Sequence, residues 1–159
     1  MPQRFLEQNR RIIKEIIMEQ TRRTSTNSIY EPYILTDIGC RNIWEAGHRT
    51  GYCFNLTINY YRGLPLSCID QITFWVDGEQ IDPEDMYIQH RGREYHYPDI
   101  LKDDMATDLY WEFGGLLRVI IKKKGGIAQG IHHVKLILGT RRSYTPTMVA
   151  QWEKDMTIA

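Results

Sequence analysis

The chain is poor in the features that mark specialised protein classes. Its 159 residues include only three cysteines, Cys40, Cys53 and Cys68, and no Cys-x-x-Cys pair. An odd count without metal-type spacing argues against a disulfide framework and against a zinc knot. Net charge is missing too, because 20 Lys plus Arg balance 20 Asp plus Glu. Nothing global therefore draws the chain to nucleic acid or to an anionic membrane. No apolar run approaches the roughly 20 residues of a membrane helix. The polar start, MPQRFLEQNRR, lacks the apolar core of a secretory signal. What is present is ordinary: 42% hydrophobic and 25% charged residues, enough to bury a core and exclude wholesale disorder. The expectation is one soluble, cytoplasmic domain.

Charge is nonetheless uneven along the chain. Residues 1–24 carry Arg4, Arg10, Arg11, Lys14, Arg22 and Arg23 against Glu7, Glu15 and Glu19, whereas residues 82–112 are rich in Asp and Glu. Both stretches read first as solvated faces, since surface ion pairs contribute only ~0–1 kcal/mol. Phe5, Leu6, Ile12, Ile13, Ile16 and Ile17 recur at the spacing of one helical face, with Arg10, Arg11 and Lys14 opposite. The spacing predicts an amphipathic N-terminal helix, followed by the loop-forming TRRTSTNS. Its apolar stripe must be covered, and a partner chain is the expected surface.

From about Ile34 the period changes to that of strands. Residues 52–61 alternate, with Phe54, Leu56, Ile58 and Tyr60 on one side. Asp77-Gly78 between two apolar runs is a type I′ hairpin signal, and Gly92 marks a second hairpin. Residues 116–122 and 132–138 supply further strands, while residues 148–156 read as a helical turn or tail. Many short strands without helix–strand alternation predict a mainly β chain, an antiparallel β-sandwich of jelly-roll type behind the N-terminal helix. The division follows: residues 1–33 helix and linker, 34–147 sandwich, 148–159 tail.

The candidate chemistry is thin. His132 and His133 are adjacent in a strand, so their side chains leave opposite faces. His90 and His96 flank a hairpin, but no HxH or HExxH spacing exists. A cupin-like metal enzyme is thereby disfavoured, and no metal or catalytic residue is expected in this chain. Trp75, Trp111, Tyr60 and Phe113 read best as core rings. Residues 60–67, YYRGLPLS, resist that reading. Gly63 and Pro65 break the strand, and Leu64 and Leu66 place apolar groups on the break beside Arg62. Such a loop suits an interface or a pocket.

That same segment carries a family resemblance. NLTINYYRGLPLS at residues 55–67, VDGEQIDPE at 76–84, WEFG at 111–114, GGIAQGIHHV at 125–134 and RRSYTP at 141–146 occur in order. This set resembles the β subunit of the bacterial C-glycoside deglycosidases over roughly residues 36–147. The N-terminal segment lies outside it. The resemblance implies a carbon–carbon lyase acting on 3-oxo-C-glycosides by deprotonation and elimination. It also implies that a TIM-barrel α subunit holds the acid–base residues and a divalent metal, manganese. This chain would be the accessory subunit, presenting Arg62, Gly63, Leu64, Pro65, Ser67 and Tyr144 to that partner or to a pocket beside it. The alternative is a free-standing carbohydrate-binding sandwich without catalytic activity.

Overall fold

The structure, a computed structural model, describes residues 8, 10, 11, 30–102, 109–142 and 145–159. A 3-10 turn, Glu31–Tyr33, leads into β1 (Leu35–Glu45) and β2 (His48–Leu56). There follow β3 (Leu64–Pro65), β4 (Ile69–Val76), β5 (Glu79–Gln80), β6 (Met86–His90) and β7 (Arg93–His96). A single helical turn, Tyr97–Ile100, precedes β8 (Tyr110–Trp111), β9 (Leu117–Lys122), β10 (Gly130–Arg142) and β11 (Thr145–Ile158). The chain is mainly β, as its periodicity predicts, and every strand pairing among the described residues is antiparallel. The expected N-terminal helix lies outside the described residues, apart from Gln8, Arg10 and Arg11, which are exposed.

Two sheets share one core. The five-stranded sheet runs β1-β2-β9-β6-β7 and the four-stranded sheet β11-β10-β4-β5, while β3 and β8 form a two-stranded ribbon. Phe54 of β2 stacks on Phe74 of β4 with ring centroids 4.8 Å apart, joining the inner faces of both sheets. Burying each ring stabilises the fold by about 1.5–3 kcal/mol, and the ring pair adds ~0.5–1.5 kcal/mol. Tyr97 is buried from the helical turn, and its hydroxyl accepts from the Ile72 amide at 2.8 Å. Burial pushes that phenol up to about 12, so it stays neutral.

Both expected hairpins are present. Asp77 and Gly78 take φ of 51° and 82° between paired Val76 and Glu79, and Arg91-Gly92 repeats the geometry between His90 and Arg93. Positive φ at both central positions is what a type I′ turn demands. Ala46-Gly47 forms a third such turn, between Glu45 and His48.

Two strand assignments need correction. Residues 57–61 leave the sheet, so the strand expected over 52–61 ends at Leu56. Residues 148–159, expected as a turn or tail, form most of β11, which pairs with β10 from Gly130↔Ile158 to Arg142↔Thr145. Ala150, Met156 and Ile158 of this strand enter the core, which is what fixes it as sheet. Its end returns to β1, where the Asn42 amide donates to the Ala159 carbonyl at 2.7 Å.

Candidate partner-facing site

The loop between β2 and β3 is held from inside. Asn59 is fully buried, and its Nδ2 donates to the carbonyls of Leu138 at 3.4 Å and Met148 at 3.3 Å. Thr140 Oγ1 donates to Asn59 Oδ1 at 2.8 Å. One side chain thus pins the loop to both β10 and β11, and a buried amide so satisfied costs little to desolvate. Beyond that anchor Tyr60 and Tyr61 lie with ring centroids 4.2 Å apart, and the Arg62 guanidinium sits 5.3 Å over the Tyr61 ring.

The ribbon then fixes the rest of the loop. Leu64 pairs with Trp111 and Pro65 with Tyr110, and the Leu66 amide donates to the Leu109 carbonyl at 2.8 Å. A β-carbon at Gly63 would lie 2.5 Å from the Tyr110 ring and 2.7 Å from the Trp111 carbonyl, so only glycine lets β8 approach. Trp111 is buried, and its Nε1 donates to the Gly115 carbonyl at 2.9 Å.

Arg141 joins this end of the molecule to the β10–β11 hairpin. Its Nη2 donates to the Ser67 carbonyl and its Nε meets Asp70 Oδ1, both at 2.7 Å. Thr147 Oγ1 donates to the other Asp70 oxygen at 2.8 Å. The flanks of the Ser143–Pro146 element therefore lie beside the residue 60–67 loop, whereas Tyr144 falls outside the described residues.

The structure brings Arg62, Gly63, Leu64, Pro65 and Ser67 together, but it redistributes their roles. Leu66 is fully buried in the core and Leu64 packs partly against it, so the apolar groups of the break serve this domain. The apolar surface left open belongs to Tyr61 (52% exposed), Tyr110 (43%), Phe113 (59%) and Leu116 (46%). Phe113 was expected in the core beside Trp111. The turn at Glu112–Gly115, closed by a 2.9 Å bond from the Gly115 amide to the Glu112 carbonyl, swings it outward. Of the other rings expected inside, Tyr60 and Trp75 are half-buried, and Lys135 covers the Trp75 ring at 5.1 Å.

The histidines do not converge. His132 Nδ1 lies 2.6 Å from Asp77 Oδ2, and its Nε2 lies 2.6 Å from the Ala128 carbonyl. His133 meets Asp155 at 2.8 Å and Glu153 at 3.3 Å, so the two side chains do part, as adjacent strand residues must. His96 contacts the Glu84 carbonyl at 2.7 Å and pairs in register with Tyr87, not with His90. Burial, then the Arg91 charge, holds His90 below the ordinary histidine range. Among the described residues no group of three or more His, Cys, Asp or Glu side chains is placed to hold a metal ion. No described helix is long and apolar enough to cross a membrane.

The motifs of the resemblance are thus tied to one another in space. Asp77 of VDGEQ holds His132 and the His133 amide of GGIAQGIHHV, and Arg141 of RRSYTP holds Ser67 of YYRGLPLS. Comparison with known proteins agrees with this set. The family model described as C-glycoside deglycosidase beta subunit matches residues 30–144. A C-glycoside deglycosidase beta subunit from Eubacterium cellulosolvens is 32% identical over 120 residues, covering 75% of this chain and 80% of that protein. The chain belongs to the C-glycoside deglycosidase beta subunit family. The matched region contains β1 through β10 and stops where β11 begins, so the residue 60–67 loop, the ribbon and Arg141 all fall within the family region.

Proposed function

We propose that this chain is the accessory subunit of a C-glycoside deglycosidase and docks a catalytic α subunit through the end of the fold built from residues 60–67, β8 and Phe113. The observation that carries this reading is the exposure of Tyr61, Tyr110 and Phe113, with Arg62 over the Tyr61 ring, within the family region. Interface centres are enriched in aromatic residues and arginine, because their side chains bury large areas and arginine adds a fork of N–H donors. Two antiparallel sheets around one core support the finer reading of a jelly-roll-type sandwich.

The reaction proposed for the complex begins from a sugar already oxidised at its 3-hydroxyl. The 3-keto group acidifies the C2 hydrogen, a base removes it, and the electron pair forms an enolate. Collapse of the enolate expels the aryl group from C1 as its ring carbon gains a proton. The carbon–carbon bond breaks with no net redox change. A manganese ion in a TIM-barrel α subunit would hold the enolate oxygen as a Lewis acid. Among the described residues no group of three or more His, Cys, Asp or Glu side chains is placed to hold such an ion.

Co-expression with the candidate α chain, sizing, metal analysis and an elimination assay on a 3-oxo-C-glucoside test the proposal together. The expected result is a hetero-oligomer in which manganese and turnover track the partner. A chain that stays alone and binds glycans unaided would replace this reading with a free-standing carbohydrate-binding module. Turnover by the isolated chain would place the chemistry here instead.

A further inference from the structure

Three turns meet at the end of the molecule opposite residues 60–67. β2 runs from His48 at this end to Leu56 at the other, and β9 returns from Leu117 to Lys122. The Lys123 amide donates to the Thr50 carbonyl and the Gly125 amide to the Arg49 carbonyl, both at 3.1 Å. The far side of the same loop reaches Asp77 through His132, whose ring meets the Ala128 carbonyl. Residues 123–129 therefore span from the β1–β2 turn to the β4–β5 turn. The two sides differ in charge. His48, Lys123 and Lys124 are exposed beside half-buried Arg49, whereas Glu79 of β5 and Asp85 of the 3-10 turn Pro83–Asp85 are exposed on the other side. Burial, then the charges of Glu79, Asp77 and Asp85, push the Tyr52 phenol of β2 up to about 12, which puts those carboxylates around this end of the sheet.

Neither side is satisfied within the chain. Among the described residues none of Lys123, Lys124, Glu79 and Asp85 forms an ion pair, whereas Lys122 is taken by Glu94, Asp77 by His132 and Glu84 by His96. Apolar surface is open here too. Trp44 is 56% exposed although Asn42, two positions earlier on β1, is buried. The register shifts between Ile43 and Trp44, leaving Thr50 without a partner on β1, and such a bulge re-aims the side chain beside it. The Arg49 guanidinium lies 5.2 Å over the Trp44 ring. Ile131, which opens β10 at this end, is 75% exposed. We propose that this end is the contact between two copies of the chain, related by a two-fold axis. Such an axis sets a patch against its own copy, so a patch with one basic and one acidic half complements itself. Lys123 and Lys124 of each copy face Glu79 and Asp85 of the other, and Trp44, a residue type that anchors interfaces, is covered in each half. The pairing leaves Tyr61 and Phe113 free at the opposite end, so it stands apart from the α-subunit reading.

Sedimentation velocity of the full chain, without any partner, tests it. The expected result is a monomer–dimer equilibrium that weakens as salt is raised, since the paired charges are exposed at the rim. Trp44→Ser should weaken the dimer about tenfold or more. Lys123→Glu with Lys124→Glu should leave only monomer, and so should Glu79→Lys with Asp85→Lys, because like charges then meet in both halves. All four side chains are exposed, so these swaps are read on folded chains. An equimolar mixture of the two swapped chains should regain the dimer, because every contact again joins opposite charges. A wild-type chain that is monomeric at every concentration, a dimer that survives either swap, or a mixture that stays monomeric would overturn the proposal. So would a dimer that Tyr61→Ser with Phe113→Ser dissociates and Trp44→Ser does not, since self-association would then use the opposite end.

Discussion

Asp77 holds two consecutive residues of β10: its Oδ2 lies 2.6 Å from His132 Nδ1, and its Oδ1 accepts from the His133 amide at 2.9 Å. Since the other ring nitrogen faces the Ala128 carbonyl at 2.6 Å, both imidazole nitrogens meet acceptors. Only the protonated ring donates to both. The ring thus ties the β4–β5 turn to the glycine-rich loop before β10, and the Asp77 hydrogen bond, then the Ala128 carbonyl, hold its pKa above the ordinary histidine range against the opposing effect of burial.

Stability should therefore fall as pH rises through the raised His132 value. A group that holds its proton more tightly when folded contributes fully below its unfolded pKa of 6.5 and loses that contribution above its folded one. Exposed His133, raised by Asp155 and then Glu153, acts in the same direction. His90, lowered by burial, acts oppositely and penalises the folded state at acid pH. Asp77, lowered chiefly by the His132 bond, adds stability that is lost only as pH falls through its depressed value. Melting curves from about pH 6 to about pH 9 should show a loss that His132→Asn reduces, leaving the part that His133 contributes. An identical slope in the variant would assign the titration elsewhere.

Asn59→Ala should destabilise the chain by about 1–3 kcal/mol, because it strands the Thr140 hydroxyl and two carbonyls in a buried site. Urea unfolding measures this directly. Asn59→Asp should cost at least as much, since a carboxylate cannot donate to the Leu138 and Met148 carbonyls. A stability within experimental error of wild type would mean that the loop is not anchored there.

The hairpins at Asp77-Gly78 and Arg91-Gly92 were legible because the turn type restricts its residues so strongly. Ala46-Gly47 carries the same φ pattern without a characteristic first residue, and so it passed unnoticed. β11 was unreadable for a different reason. Its alternation sets Glu153 and Asp155 on one face and Trp152, Lys154 and Met156 on the other, too mixed to signal a strand. Pairing with β10 along its length decides its conformation, and that partner is a tertiary fact. At the candidate site, Arg62 and Gly63 stood out through the break they create. Asn59 did not, since one buried amide leaves no pattern, and Phe113 misled because the turn that exposes it is set by Gly114 and Gly115.

Gly63→Ala should cost more than Gly47→Ala, though both replace glycine in a loop. At Gly47 the φ of 78° imposes backbone strain but nothing lies within 4 Å of an added β-carbon, so ~1–2 kcal/mol is expected. At Gly63 the new carbon meets Tyr110 and Trp111 at 2.5 and 2.7 Å, and β3 must part from β8. Thermal melts of the two variants give the ranking, and hydrogen exchange at Leu66 and Trp111 should rise only in Gly63→Ala. The reverse ranking would show that the ribbon yields freely.

Removing the exposed rings should separate partner binding from folding. Tyr61 and Phe113 are more than half exposed, so Tyr61→Ser with Phe113→Ser should change stability by no more than about 1 kcal/mol, roughly 0.5 for each surface site. If these rings form the centre of the contact, affinity for the α subunit should drop at least tenfold, about 1.4 kcal/mol, with the loss mainly in the dissociation rate. Arg62→Ala alone should also lower the affinity, since it removes the guanidinium that lies 5.3 Å over the exposed Tyr61 ring. Leu66→Ala is the contrasting case, because the side chain is fully buried and its truncation should cost about 2–5 kcal/mol of stability. Below its melting temperature that variant should still bind with nearly full affinity, because Leu66 offers the partner no surface. Surface plasmon resonance on the purified complex partners measures each rate. Undiminished affinity in the double serine variant, or a loss in Leu66→Ala that exceeds it, would place the α-subunit contact away from this end of the molecule.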